Sequence, residues 1–281
     1  MSVPTDTFCR VPRATTADQV NRSAAPSFGP LAPTTRALHR WTRFLTERVL
    51  PTALEALEAL GRLESESPPN WPSGLFTFVR AYPLLSEGLP IVWVPDVDTL
   101  TALVAAHGRS ERQAILVKRA PDAVAHAQDV LTHVTCPRLR TGRELIDQAL
   151  GCVLQQPAPA QALALQVAPL IWMQLNGDTT PGKLYARADR LVKARALPPA
   201  GSLRTDLTTI VFATVLARFN GGDTPPATPN RHVIAHAIHR EQYTPANAIS
   251  AVLLAVSVLR QVQAEHHTRR CPDCSNPEQA A

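Results

Sequence analysis

TGRELIDQALGCVL, residues 141–154, is the stretch whose apolar spacing decides the fold class. An α-helix brings residues three to four apart to the same side. The apolar residues that fall on one such face are Leu145, Ile146, Ala149 and Val153. The stretch therefore predicts an amphipathic helix that packs this face against a core.

Helical spacing continues on both sides of this stretch, with Pro, Asp and Gly residues at the boundaries. Further helices are predicted over Thr34–Leu63 (with a kink or a new start at Pro51), Gly74–Leu85, Asp96–Ala106, Asp122–Val134, Ala158–Leu175, Pro181–Ala196, Leu203–Phe219, Pro229 to about Arg240, and Thr244–Glu265. Two short runs stay open. Leu89–Val94 is either a strand or an extended connector, and Arg112–Lys118 is either a strand or a helix.

This pattern predicts an all-α protein built as a multi-helix bundle. Residues 1–32 show no period and are expected to form a disordered arm. A helical N-terminal region is expected over 33–134 and a second helical domain over 136–265. Residues 266–281 are expected to be a flexible tail.

Composition narrows the class of protein. Hydrophobic residues make up 45% of the chain, as in a globular protein, and the net charge of +5 permits nucleic-acid binding without requiring it. Of the 28 basic residues, 25 are Arg. That excess reflects either selection for phosphate contacts or a GC-rich genome, and the second interpretation is the preferred one.

The sequence gives an expectation for the compartment. The first thirty residues are polar, without the apolar segment of a signal peptide, and the five cysteines are scattered and odd in number. Both features favour a reducing cytoplasm. The longest nearly apolar stretch, Ala248–Leu259, is too short to cross a bilayer, so no membrane partner is expected.

Arg231-x4-His236 is the pattern with the clearest chemical meaning. Residues 229–236 read PNRHVIAH and follow a loop rich in Pro, at the predicted start of a helix. Residues five apart on a helix differ in direction by about 140°, so Arg231 and His236 cannot stack, but both can border one cleft. His232, His236 and His239 have the spacing of one helix face.

The wider arrangement resembles the HEPN superfamily over about residues 136–262. Arg143–Ile146 opens a helix, and an apolar helix with the internal Pro169 follows it. Asn230–His232 comes later, and Tyr243–Asn247 then leads into an apolar final helix. This order is similar to that of bacterial HEPN-like proteins of abortive infection and toxin systems. The resemblance implies a HEPN-like C-terminal helical domain.

The resemblance also implies an activity, a metal-independent endoribonuclease with no cofactor. His236 would take the proton of the 2′-hydroxyl or deliver one to the leaving oxygen, and Arg231 would stabilise the charged phosphorane. Asn230 would support the phosphate, and His232 would orient the phosphate or supply the second proton-transfer group. The family further implies a homodimer whose two motifs face one RNA-binding cleft, with an antitoxin or sensor protein as a further partner.

The sequence departs from the HEPN pattern at two positions, and these departures leave alternatives to the ribonuclease function open. Related sequences often carry an acidic residue after the internal proline and Gly after the histidine, whereas Leu170 and Ala237 stand at these positions here. One alternative is a non-catalytic HEPN-like module that binds or regulates. Another is that Arg231 and His236 only cap and pack the start of a helix.

Metal binding is the weaker hypothesis. His267-x3-Cys271-x2-Cys274 offers three zinc ligands, and the fourth would come from His266, a distant Cys or a partner chain. A flexible tail with two exposed thiols is the alternative that is preferred, so no metal is expected.

Two basic clusters, Arg138–Arg143 and Arg187–Arg195, are interpreted as solvated helix faces because no aromatic residues alternate with them.

Overall fold

The computed structural model describes residues 67–72, 78–194, 202–220, 222–236 and 239–268, all within one unit of the chain, 55–281. The predicted all-α class is confirmed, since the described residues form ten α-helices, two short 3₁₀ helices and no strand. The α-helices are α1 (Phe78–Ser86), α2 (Val97–Ala105), α3 (Arg109–Lys118), α4 (Ala120–Thr132), α5 (Arg140–Cys152), α6 (Pro157–Asn176), α7 (Pro181–Ala194), α8 (Leu203–Val215), α9 (Arg231–His236) and α10 (Pro245–Thr268). The 3₁₀ helices span Pro137–Leu139 and Arg240–Gln242.

Helix α10 is the centre of the bundle and packs against α3, α4, α5, α6 and α8. Its residues from Ala246 to Leu259 are mostly apolar and are all buried. By its length and composition, this helix of the described chain could cross a membrane. The mean hydropathy over residues 245–265 is 1.4. However, 89% of that window is buried inside the protein, as expected for a core helix.

Helix α5 approaches the centre closely at Gly142. A Cβ atom at this position would lie 2.5 Å from Cδ1 of Ile171 and 3.4 Å from Cδ2 of Leu259. Gly142 therefore brings the start of α5 against both α6 and α10. On the other side of α6, the Trp172 ring lies 6.2 Å from the Phe212 ring of α8, and its Nε1 donates a hydrogen bond to Thr209.

The N-terminal helices share the core of the later ones. Buried residues of α2, α3 and α4 belong to the same hydrophobic cluster as those of α5 to α8 and of α10. The connection at residues 135–136 is also tied to the centre, because Oε1 of Gln263 accepts hydrogen bonds from the backbone N–H groups of Thr135 (3.0 Å) and Cys136 (2.8 Å). Buried residues on both sides of the predicted boundary thus share one hydrophobic cluster.

The sequence left two segments undecided between a strand and another conformation, and neither of them is a strand in the structure. Residues 112–118 lie within α3, so the strand alternative is wrong there. Leu89–Val94 is an irregular connector whose backbone accepts hydrogen bonds from side chains. For example, Trp71 Nε1 donates to the Ile91 carbonyl at 2.8 Å.

The start of α2 matches the prediction, since Asp96 caps it by accepting from the Thr99 N–H at 2.9 Å. The helix predicted over Thr34–Leu63 and the arm over 1–32 lie outside the described residues.

Candidate functional site

Helix α9 carries the predicted site and is shorter than the sequence pattern indicates. It spans only Arg231–His236, whereas the prediction continued to about Arg240. Its first turn is held by Asn230, which is buried and whose Oδ1 accepts the N–H of Val233 at 3.0 Å. A capped helix of six residues offers little for a phosphate at its N-terminus. The chemistry must therefore come from the side chains of α9.

Asn230 also fixes the end of α8. Its Nδ2 donates to the carbonyl oxygens of Ala217 (3.0 Å) and Thr214 (3.4 Å). These carbonyls are satisfied by a side chain, and α8 ends at Val215 instead of the predicted Phe219. With both ends of its amide used inside the protein, Asn230 positions α9.

A second buried amide side chain, that of Gln242, connects the start of α9 to the start of α10. Gln242 accepts the N–H of Asn230 at 3.1 Å through Oε1, and its Nε2 donates to the Pro226 carbonyl. The carbonyl of Gln242 in turn accepts from Nδ2 of Asn247 at 3.0 Å. Thr244 caps the start of α10 through the Asn247 N–H at 3.1 Å. The loop before α9 and the start of α10 are thus joined by a chain of amides.

Arg231 is held against α6. Its Nη2 donates to Oε1 of Gln166 at 3.1 Å, and its Nε is buried with no hydrogen-bond partner in the described part of the chain. The residue as a whole is half-buried. This arrangement orients the guanidinium and leaves donors available, because a guanidinium carries five N–H groups. Sequence reasoning missed Gln166, and no local signal links a glutamine on one helix to an arginine 65 residues later.

His232 and His236 stand side by side on α9. Their ring centroids are 5.6 Å apart, with His232 half-buried and His236 exposed. Burial lowers the pKa of His232 below its usual value, and the positive charges of His236, Arg231 and Arg218 lower it further. His232 is therefore the imidazole that favours the neutral form, and it is coupled electrostatically to both predicted catalytic residues.

His239 does not join the pair on a common helix face. Helix α9 ends at His236, and residues 237–238 lie outside the described residues. The His239 ring instead packs edge-on against Phe219, with centroids 5.6 Å apart. Within the described ranges, no group of three His, Cys, Asp or Glu side chains comes together as a metal site. The three histidines therefore do not share one helix face, and they do not form a metal site among the described residues.

The other candidate sites predicted from the sequence do not belong to the α9 cluster. Cys271, Cys274 and the side chain of His267 lie outside the described residues, so the zinc hypothesis stays a prediction. In the second basic cluster, Arg187 pairs with Asp178 at 3.3 Å and Lys193 with Asp189 at 2.7 Å. These pairs agree with a solvated helix face.

A cavity of about 250 Å³ lies outside the α9 cluster. It is lined by Arg138, Leu139, Ile171, Gln174, Leu175 and Val262. None of the residues of the Arg231 cluster borders it. This cavity is therefore not part of the candidate site.

The lowered pKa of His232 has a consequence for stability. Because His232 binds a proton more readily in the unfolded chain, the folded state should lose stability as the pH falls from above about 6.5 through the lower pKa of the folded protein. We expect His232→Asn to weaken this dependence. Urea unfolding of both proteins at pH 8 and pH 5 measures it, and an identical pH dependence in the two proteins would contradict the expectation.

No family model, no curated protein and no solved structure matches this chain. The interpretation of α9 therefore rests on its own geometry. That geometry consists of an oriented guanidinium, a half-buried imidazole and an exposed imidazole, arranged on one short helix at the surface.

Proposed function

We propose that the protein is a metal-independent endoribonuclease of the HEPN type, acting in a bacterial toxin or phage-defence setting. The observation that carries the proposal is the cluster on α9, where His232 lies beside His236 and interacts electrostatically with Arg231. Two neighbouring imidazoles that can transfer protons and one cation are the groups that metal-free cleavage of RNA requires.

The proposed reaction assigns one role to each side chain. His232, neutral at physiological pH because of its lowered pKa, takes the proton of the ribose 2′-hydroxyl. The 2′-oxygen forms a bond to phosphorus, and the bond from phosphorus to the 5′-oxygen breaks. His236 gives its proton to that 5′-oxygen, and Arg231 stabilises the negative charge of the phosphorane. The products are a 2′,3′-cyclic phosphate and a 5′-hydroxyl end.

Supporting residues position the catalytic side chains in this proposal. Asn230 and Gln242 hold the start of α9, and Gln166 aims the guanidinium of Arg231. A homodimer would bring two such helices to one RNA-binding cleft, and an antitoxin or sensor protein would regulate it. Arg218, whose charge reaches His232, adds to the positive potential that attracts RNA.

The second candidate is a non-catalytic module that binds RNA or a protein. A specific observation favours it, because Nη2 of Arg231 donates to Gln166 and its Nε is buried. An arginine used in this way stabilises the packing of α9 on α6. In that case the exposed His236 would contribute to a binding surface and not to catalysis.

A cleavage assay separates the two functions. Purified protein is incubated with a set of labelled RNAs in the presence of EDTA, and the ends of the products are analysed. Cleavage with 2′,3′-cyclic phosphate ends is the expected result. Binding of the RNAs without cleavage favours the module, and cleavage only after addition of a divalent metal contradicts the proposed chemistry.

A further inference from the structure

A short segment after α8, residues 217–219, lies against the start of α9. The Ala217 carbonyl accepts a hydrogen bond from Nδ2 of Asn230 at 3.0 Å. The same buried amide accepts the N–H of Val233 through Oδ1, also at 3.0 Å. Because one side chain holds both the Ala217 carbonyl and the first turn of α9, the residues that follow Ala217 leave α8 beside the α9 cluster.

Arg218 adds a cation to this edge of the cluster. It is exposed, and it has no hydrogen-bond acceptor or ion pair within the part of the chain that the structure describes. Burial is the main reason why the pKa of His232 is lowered, and the positive charge of Arg218 contributes to that shift. The guanidinium of Arg218 therefore lies within electrostatic reach of the proposed reaction centre, and its N–H donors are open to a ligand.

Phe219 and His239 form an aromatic pair next to Arg218. Their ring centroids are 5.6 Å apart and the rings are nearly perpendicular, at 81°. Both residues are half-buried, so each is partly open to solvent. In an edge-to-face contact one ring offers only its edge, so this contact leaves both faces of that ring uncovered. The backbone of His239 is anchored as well, since its carbonyl accepts the N–H of Gln242 at 3.0 Å.

We propose that Arg218 and the Phe219–His239 pair form a subsite for the nucleotide next to the scissile phosphate, in which the aromatic pair stacks an unpaired base and Arg218 binds the phosphate of that nucleotide. A guanidinium binds phosphate through parallel N–H donors, and an aromatic ring stacks on any base. The basic clusters at 138–143 and 187–195 lack this combination, because no aromatic residue alternates with their arginines.

The subsite restricts the substrate to single-stranded RNA. In a duplex both faces of each base are covered by its neighbours, so only an unpaired, unstacked base can lie on the ring of Phe219 or His239. A loop, a bulge or a free end offers such a base. This inference rests on the proposed function and deepens it, because it says which form of RNA the α9 cluster meets.

Binding to a probe that cannot be cleaved tests the subsite. The probe is a labelled single strand of 2′-O-methyl RNA, compared with a duplex of the same sequence, and fluorescence anisotropy measures its affinity for the full chain. We expect the single strand to bind more tightly than the duplex. Phe219→Leu should weaken binding of the single strand at least about fivefold, because a stacking surface is lost. His239→Tyr keeps a ring and should bind within about twofold of the parent.

Arg218→Gln tests the phosphate contact separately. Losing one phosphate contact should reduce the slope of log Kd against log salt concentration by about 0.7, as expected for a single strand. Arg190→Gln removes another exposed arginine, on α7, and should leave the slope unchanged. Tyr185→Leu removes a half-buried ring on α7 and is the matched control for Phe219→Leu. Circular dichroism checks that each variant folds, and Arg218→Gln decides the matter if Phe219→Leu does not fold.

The failure of the subsite differs from the failure of the proposed ribonuclease. The probe has no free 2′-hydroxyl, so its binding is measured whether or not the protein cleaves RNA. Parent protein that binds the single strand through Phe219 and Arg218 but cuts no RNA would refute the ribonuclease and leave the subsite in place. The subsite is overturned if the parent binds neither probe, if it binds the duplex as tightly as the single strand, or if folded Phe219→Leu and Arg218→Gln behave like their α7 controls.

Discussion

His236→Ala should lower the rate of RNA cleavage by about 10²- to 10⁴-fold, the range found when a group that transfers protons is removed. The imidazole is exposed, and its described ring contact is with His232. The substitution therefore removes no buried contact, and the free energy of unfolding should stay within about 0.5 kcal/mol of the parent value. Single-turnover cleavage in EDTA measures the rate, and urea unfolding measures the stability.

The matched control is His107→Ala. His107 is also exposed, and it lies between α2 and α3, outside the α9 cluster. It should cleave RNA at the parent rate. If His236→Ala cleaves as fast as the control, His236 has no catalytic role and the proposed mechanism fails.

Arg112→Met should destabilise the fold by about 3 kcal/mol, because it leaves Glu87 without its partner in a mostly buried position. Arg112 Nε donates to Oε2 of Glu87 at 2.8 Å, and Nη2 donates to the other carboxylate oxygen. The two side chains are only 10% and 12% exposed. Arg112 Nη1 also donates to the Ala106 carbonyl at 3.0 Å, so this pair joins the end of α1 to the connection between α2 and α3.

A double substitution tests the cause. Glu87→Leu combined with Arg112→Met removes both charges, and it should recover most of the lost free energy of unfolding. Urea unfolding followed by circular dichroism gives the three values needed. A loss of less than about 0.5 kcal/mol in the single variant would place this pair with ordinary surface ion pairs and contradict the prediction.

Much of the helical framework follows from local sequence. The starts of α2 and α10 were predictable because Asp96 and Thr244 are residues that begin helices for local reasons. The predicted end of α8 was wrong for a different reason. It depends on Asn230, which reaches carbonyls 13 and 16 residues earlier in the chain.

The candidate site was predictable only in part. Arg231, His232 and His236 could be chosen from their chemistry and from their position after a Pro-rich loop. Gln166 and Gln242 could not, because an amide that serves the site has the same local sequence signal as one exposed to solvent. Their roles depend on hydrogen bonds across 65 and 12 residues, which only the folded chain defines.

The central position of α10 has a consequence for synthesis on the ribosome. The helices that surround it come earlier in the chain, so they emerge first, with the apolar faces that will cover α10 still open to water. The core cannot close until residues 245–265 have left the exit tunnel. Until then the nascent chain carries an unfilled hydrophobic groove, the kind of surface that holdase chaperones recognise.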